Sequence, residues 1–153
     1  MRKVELPNFA EVLGPHLNGV SPAAYPYLLS QLERTAAARY RGWASEVREH
    51  RDGLLACAAR EDEIADRVEA MFPPTEQQRE EVQALLPAAK DAYYAVFQGY
   101  SAWEQMTIQA DAERQGANAW QNLKQAYAER SDELDRLSAI EIESATYLEH
   151  LLT

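Results

Sequence analysis

Three glutamates, Glu33, Glu61 and Glu141, fall on apolar stripes of helical spacing, where a carboxylate needs a reason to exist. Withdrawing a carboxylate from water is costly unless a cation or hydrogen-bond donors take the place of the lost hydration. Three chemistries meet that demand. The acids can tilt to the edge of the helix pack and reach solvent, or pair with Arg34 or Arg60. They can stay buried and neutral, because burial raises a carboxylate pKa and the protonated form can donate to a neighbour such as Tyr93 or Ser144. Or they can hold one divalent ion, for which a set of oxygen ligands suits manganese or magnesium better than zinc.

The residues around these acids recur. Tyr40 and Trp43 are matched by Tyr100 and Trp103, and Glu61, Glu63, Ala65, Val68 and Glu69 by Glu141, Glu143, Ala145, Leu148 and Glu149. The double occurrence predicts two helix pairs related by duplication. The first helix is expected from near Pro22 or Pro26, capped by Ser21, to about His50, with the stripe Leu29, Glu33, Ala36, Tyr40, Trp43, Val47. Asp52 with Gly53 is the expected turn. The second helix then runs to Phe72 with the stripe Leu54, Ala58, Glu61, Ala65, Val68, Phe72, and Pro73 and Pro74 stop it.

Thr75 with Gln78 reads as a capping box that opens a helical segment over 75–86. Pro87 then starts or kinks a third helix carrying Ala89, Tyr93, Val96, Tyr100, Trp103 and Thr107 on one face. Gly116 marks the expected turn into a fourth helix reaching almost to Thr153, with the stripe Leu134, Ser138, Glu141, Ala145, Leu148, Leu152. Alternating steps of three and four are the seam of an antiparallel bundle. Turns near residues 47 and 117 set Glu33 level with Glu61, and Tyr93 level with Glu141. Residues 75–86 would cover about 18 Å as helix, as the start of the third helix or as a crossover between the pairs. Pro87 suits a helix start and favours the crossover. Residues 1–21, broken by Pro7, Gly14, Pro15 and Gly19, are expected to be an N-terminal extension with one short helical turn around Phe9, Val12 and Leu13, packed on a bundle of residues 22–153.

These residues resemble the ferritin-like superfamily, of the bacterioferritin and rubrerythrin type. The resemblance implies an all-α, ferritin-like four-helix bundle of two duplicated antiparallel pairs. Each pair would give a Glu from its first helix and Glu-x-x-His from its second to a di-iron centre. Carried over residue by residue, the metal positions are Glu33, Glu61 and Glu141, and the surrounding pocket is Tyr40, Ile64, Tyr93, Tyr100 and Ser144. Ile64 and Ser144 stand where the family has histidine, and Tyr93 where it has the first-helix glutamate of the second pair. His16, His50 and His150 lie elsewhere. The resemblance therefore implies a decayed di-iron site and a non-enzymatic scaffold or interaction protein with no cofactor. The alternative is a metal-binding member with altered carboxylate ligands, handling iron, manganese or another divalent ion, with oxidase chemistry at its furthest reach. A third reading is a small apolar ligand in the space the missing ligands leave.

Bulk properties narrow the classes. A chain of 153 residues suits one domain, and abundant Ala, Leu, Glu and Gln suit helix. The net charge of -10 argues against nucleic acid and against an anionic membrane surface as partners. No apolar run approaches the roughly 20 residues that span a bilayer, and the start MRKVELPNF lacks a signal-peptide core. The lone Cys57 excludes an internal disulfide and fits a reducing cytoplasm. No phosphate loop, Ser/His/Asp set or Cys/His zinc spacing appears, so hydrolase, kinase and nucleotide-binding chemistry have no support. Tyr94, Phe97 and Trp120 exceed what one core needs. They suggest a homodimer through helix faces, with a protein partner as the other use of such a surface.

Overall fold

A computed structural model describes residues 3–153; Met1 and Arg2 of the N-terminal extension lie outside the described residues. The protein is all-α. Its helices are α1 (Phe9–Leu17), α2 (Tyr25–Glu46), α3 (Arg51–Met71), α4 (Glu76–Ala95), α5 (Ala102–Leu123) and α6 (Ser131–Leu152). Single 3-10 turns lead into α2, α3 and α6. Among the described residues there is no strand, and no helix is long and apolar enough to cross a membrane. The described chain divides into two compact units, Pro7–Gly99 and Tyr100–Thr153, the latter joined by residues 3–6.

In the first unit, α2 and α3 form an antiparallel hairpin. The middle of its inner stripe is the one the spacing predicts, with Ala36, Tyr40 and Trp43 buried on α2, Val47 at its C-cap, and Leu54, Ala58, Ala65 and Val68 on α3. At the far end the expected Leu29 and Phe72 are only half-buried, and their neighbours Leu28 and Met71 take the inner places. The turn falls at Val47 and the 3-10 segment Arg48–His50, so Asp52 and Gly53 belong to the first turn of α3 and not to the loop. Outside the seam, Arg34 binds Glu69 at 2.7 Å and Asp66 at 2.8 Å, and approaches Asp62 at 3.5 Å; Arg41 closes on Asp62 as well. Burial works to lower the Arg34 pKa, but the hydrogen bonds and charges of Asp66 and Glu69 outweigh it and hold the guanidinium above its ordinary value.

The Thr75–Gln78 capping box is present at the start of α4, with both reciprocal bonds formed. Pro87 does not start a helix; it lies inside α4. The carbonyl it leaves without a donor belongs to Gln83. Both residues are exposed, so water can replace the missing amide. Val82 and Leu86 pack on Tyr27 and Leu28 of α2, and Ser21, expected to cap α2, instead binds the Glu81 carboxylate through its amide and hydroxyl. The helix ends at Ala95, and Gly99 follows in the left-handed region at φ +81°, a conformation costly for a residue with a Cβ. The expected third helix is therefore two helices with a break at residues 96–101. Of the three surplus aromatics, Phe97 and Trp120 are buried and Tyr94 is exposed.

The second unit is the α5–α6 hairpin. Ser101 and Glu104 form a second capping box at the start of α5. Gly116 lies inside α5, and the turn into α6 is at residues 124–130. Ser138 binds the Ala117 carbonyl at 2.8 Å, and Arg114 holds Glu149 through two bonds of 2.6 and 2.8 Å.

The hydrogen bond from Arg114 keeps the Glu149 carboxyl below the usual carboxylate range. A carboxylate with a depressed folded pKa contributes stability above its unfolded pKa and loses it as pH falls through the folded value. Denaturant titrations of wild type and Glu149→Gln are therefore expected to differ by a constant amount from pH 5 to 7, and to converge below about pH 4. A pH-independent difference would mean that the carboxylate charge is not what the pair contributes.

Candidate metal centre

Glu33 sits in the middle of α2 and Glu61 in the middle of α3, on facing stripes of one hairpin. Each offers a carboxylate oxygen within 4.8 Å of the other's. Glu61 is 1% exposed and Glu33 half-buried, so the pair has one end inside the protein and one nearer its edge. The registration predicted from a turn at residue 47 is what brings them level. Ile64, one turn beyond Glu61, is fully buried. Tyr40 is fully buried, two turns along α2 from Glu33. Cys57, one turn before Glu61, is buried and accepts a hydrogen bond from Arg60 at 3.2 Å.

In the α5–α6 hairpin, Glu141 is 2% exposed and Ser144 fully buried, both on α6. Tyr93, expected on the helix that precedes α6, is not on that helix. It lies on α4, in an aromatic row with Phe9 at 6.0 Å, Tyr94 at 5.5 Å and Phe97 at 5.2 Å. Tyr100 and Trp103 are likewise not counterparts of Tyr40 and Trp43. The earlier pair closes α2, whereas Tyr100 precedes the α5 cap and Trp103 lies in the first turn.

The residue of α5 that corresponds to Glu33 is Glu113. It is 2% exposed on α5, and Gln109 donates to its Oε1 at 3.0 Å. A single offset of 80 residues relates the two hairpins throughout. It maps Glu33-Arg34 onto Glu113-Arg114, Ala37 onto Ala117, Tyr40 onto Trp120, Leu54 onto Leu134, Glu61 onto Glu141 and Glu69 onto Glu149. The structure repeats with it: Arg34–Glu69 at 2.7 Å and Arg114–Glu149 at 2.6 Å are the same ion pair. Matching Glu61–Glu69 to Glu141–Glu149 already uses this offset, while matching Tyr40 and Trp43 to Tyr100 and Trp103 uses 60. Holding to 80 would have found Glu113.

Each hairpin thus places one glutamate on each of its two helices, at matched positions. Their chemistry is that of hard oxygen donors without nitrogen or sulfur, which suits manganese, magnesium or ferrous iron. Metal–oxygen bonds of about 2.1–2.4 Å let one ion bridge two oxygens up to about 4–5 Å apart, the separation available to Glu33 and Glu61. A second sign of fit is at Gly116, where a Cβ would stand 1.9 Å from Glu141 Oε2, so the helix is indented where that carboxylate lies. No protein-family model, curated protein or solved structure matches the chain, so what it can do is argued from these four acids and the helices that carry them.

Proposed function

We propose that the protein is a divalent-cation-binding helical bundle of ferritin-like design, in which Glu33, Glu61, Glu113 and Glu141 are the ligands, with α4 as the crossover between the two hairpins. The observation that carries the reading is the 80-residue repeat, which keeps a glutamate on both helices of both hairpins. Solvation alone does not account for retaining Glu61, Glu113 and Glu141 at 2% exposure or less. That Glu33 and Glu61 of one hairpin each offer an oxygen within 4.8 Å of the other's supports it further. Manganese and ferrous iron are the favoured occupants, in a reducing cytoplasm where the lone buried thiol stays intact.

A second reading has its own support. Ile64 and Ser144, which stand where the resembled family has histidine, are both fully buried, which supports a decayed site. On that reading the bundle is a scaffold with a decayed site. One experiment separates them. Protein stripped with chelator is melted with and without manganese, alongside Glu61→Ala and Glu141→Ala. A cation that binds only the folded state at a hundred times its Kd stabilises by about 2.7 kcal/mol. The expected result is a raised melting temperature in wild type that both substitutions abolish. An unchanged melting temperature with manganese and with ferrous iron would leave the scaffold reading.

A further inference from the structure

Gly116 lies in the interior of a long helix, where alanine is the better helix former. Its surroundings account for the glycine. A Cβ built there meets Glu141 Oε2 at 1.9 Å and Cδ at 3.1 Å, inside any real contact distance. The Glu141 carboxylate therefore lies directly against the α5 backbone, about one turn beyond Glu113. In the other hairpin the equivalent residue, one turn beyond Glu33, is Ala36, so the indentation belongs to one hairpin only.

We infer that Gly116 is a positioning residue for the proposed cation site: the methyl it lacks leaves the place that the Glu141 carboxylate occupies against α5, one turn from Glu113 along that helix. The inference rests on the cation-binding reading. The atom that an alanine would strike is the far end of a flexible side chain, so the chain can relieve the clash by swinging the carboxylate aside. Substitution then displaces a ligand while leaving the helix, if anything, better formed. A residue that mattered only for folding would show the reverse.

Manganese titration calorimetry on the full chain, paired with melting of the metal-free protein, tests this. Gly116→Ala is expected to weaken manganese binding about tenfold or more, the lower end of what disturbing groups around a metal costs, with the metal-free melting temperature nearly unchanged. Gly42→Ala is the control, since Gly42 is an exposed α2 residue with no atom within 4 Å of an added Cβ, and its binding should equal wild type. Glu141→Asp alone should weaken binding, yet added to Gly116→Ala it should restore part of the loss, because the shorter side chain clears the new methyl. If wild type binds manganese and Gly116→Ala binds it equally tightly, the positioning role is wrong and the cation-binding reading stands. If wild type binds none, both fall. Should Gly116→Ala fail to fold, the doubly substituted protein decides: folding with partial binding supports the inference, and failure to fold places the steric demand on another group and overturns it.

Discussion

Trp43→Ala is expected to cost roughly 3–5 kcal/mol of folding stability, the range for removing a buried aromatic from a packed core. For a domain of this size that lowers the melting temperature by on the order of 10 °C. Trp43 is fully buried where α2 ends. Its ring meets Tyr40 edge-on at 5.3 Å and Phe97 at 5.7 Å, while the Arg39 guanidinium stacks on it at 5.3 Å. Edge-to-face pairs add to burial, so the loss belongs near the top of the range. Trp103→Ala makes the comparison informative. Trp103 is half-buried in the first turn of α5, and its truncation should cost well under half as much. Urea unfolding of the two variants measures this. Equal losses would mean that the 60-residue matching of Tyr40 and Trp43 to Tyr100 and Trp103 reflects structural equivalence after all.

The second large effect is at Glu113. If it is the fourth ligand, Glu113→Gln removes a charged oxygen donor while keeping its size, and manganese binding should fall about 100-fold or more, because disturbing even outer neighbours of a metal costs 10- to 100-fold. Gln109→Ala, which frees Glu113 Oε1 from its 3.0 Å hydrogen bond, should cost less, within that outer-neighbour range. Binding that survives in Glu113→Gln but is lost in Glu141→Gln would strike Glu113 from the ligands. The size of the first effect thus tells whether α5 contributes a ligand.

Much of this was legible in the residue pattern, and the failures have physical causes. Stripes stepping by three and four placed α2, α3 and α6, because burial of one face decides those helices. Thr75 with Gln78 marked a helix start because capping is a local bond between near neighbours. Ser101 with Glu104 carries the same signature, and it splits the long third helix that the Tyr93–Tyr100–Trp103 stripe suggests. Pro87 and Gly116 misled for a common reason. Each is a helix breaker by local rule, and each is tolerated through its surroundings: the exposed positions of Pro87 and Gln83 for the one, and the Glu141 carboxylate for Gly116. Glu61 and Glu141 were visible because their flanks repeat almost residue for residue. Glu113 has weaker flanks, with Gly116 for Ala36 and Trp120 for Tyr40, so only a constant offset exposes it.

The sole cysteine supplies a natural gauge of how often the interior opens. Cys57 is sealed inside α3, four residues before Glu61, so a thiol reagent in solution can label it only when that stretch of helix loosens. Its labelling rate then reports the opening frequency of the segment carrying Glu61, without any engineered probe. An ion clasped by that glutamate would slow the reaction in proportion to the fraction of molecules that hold it.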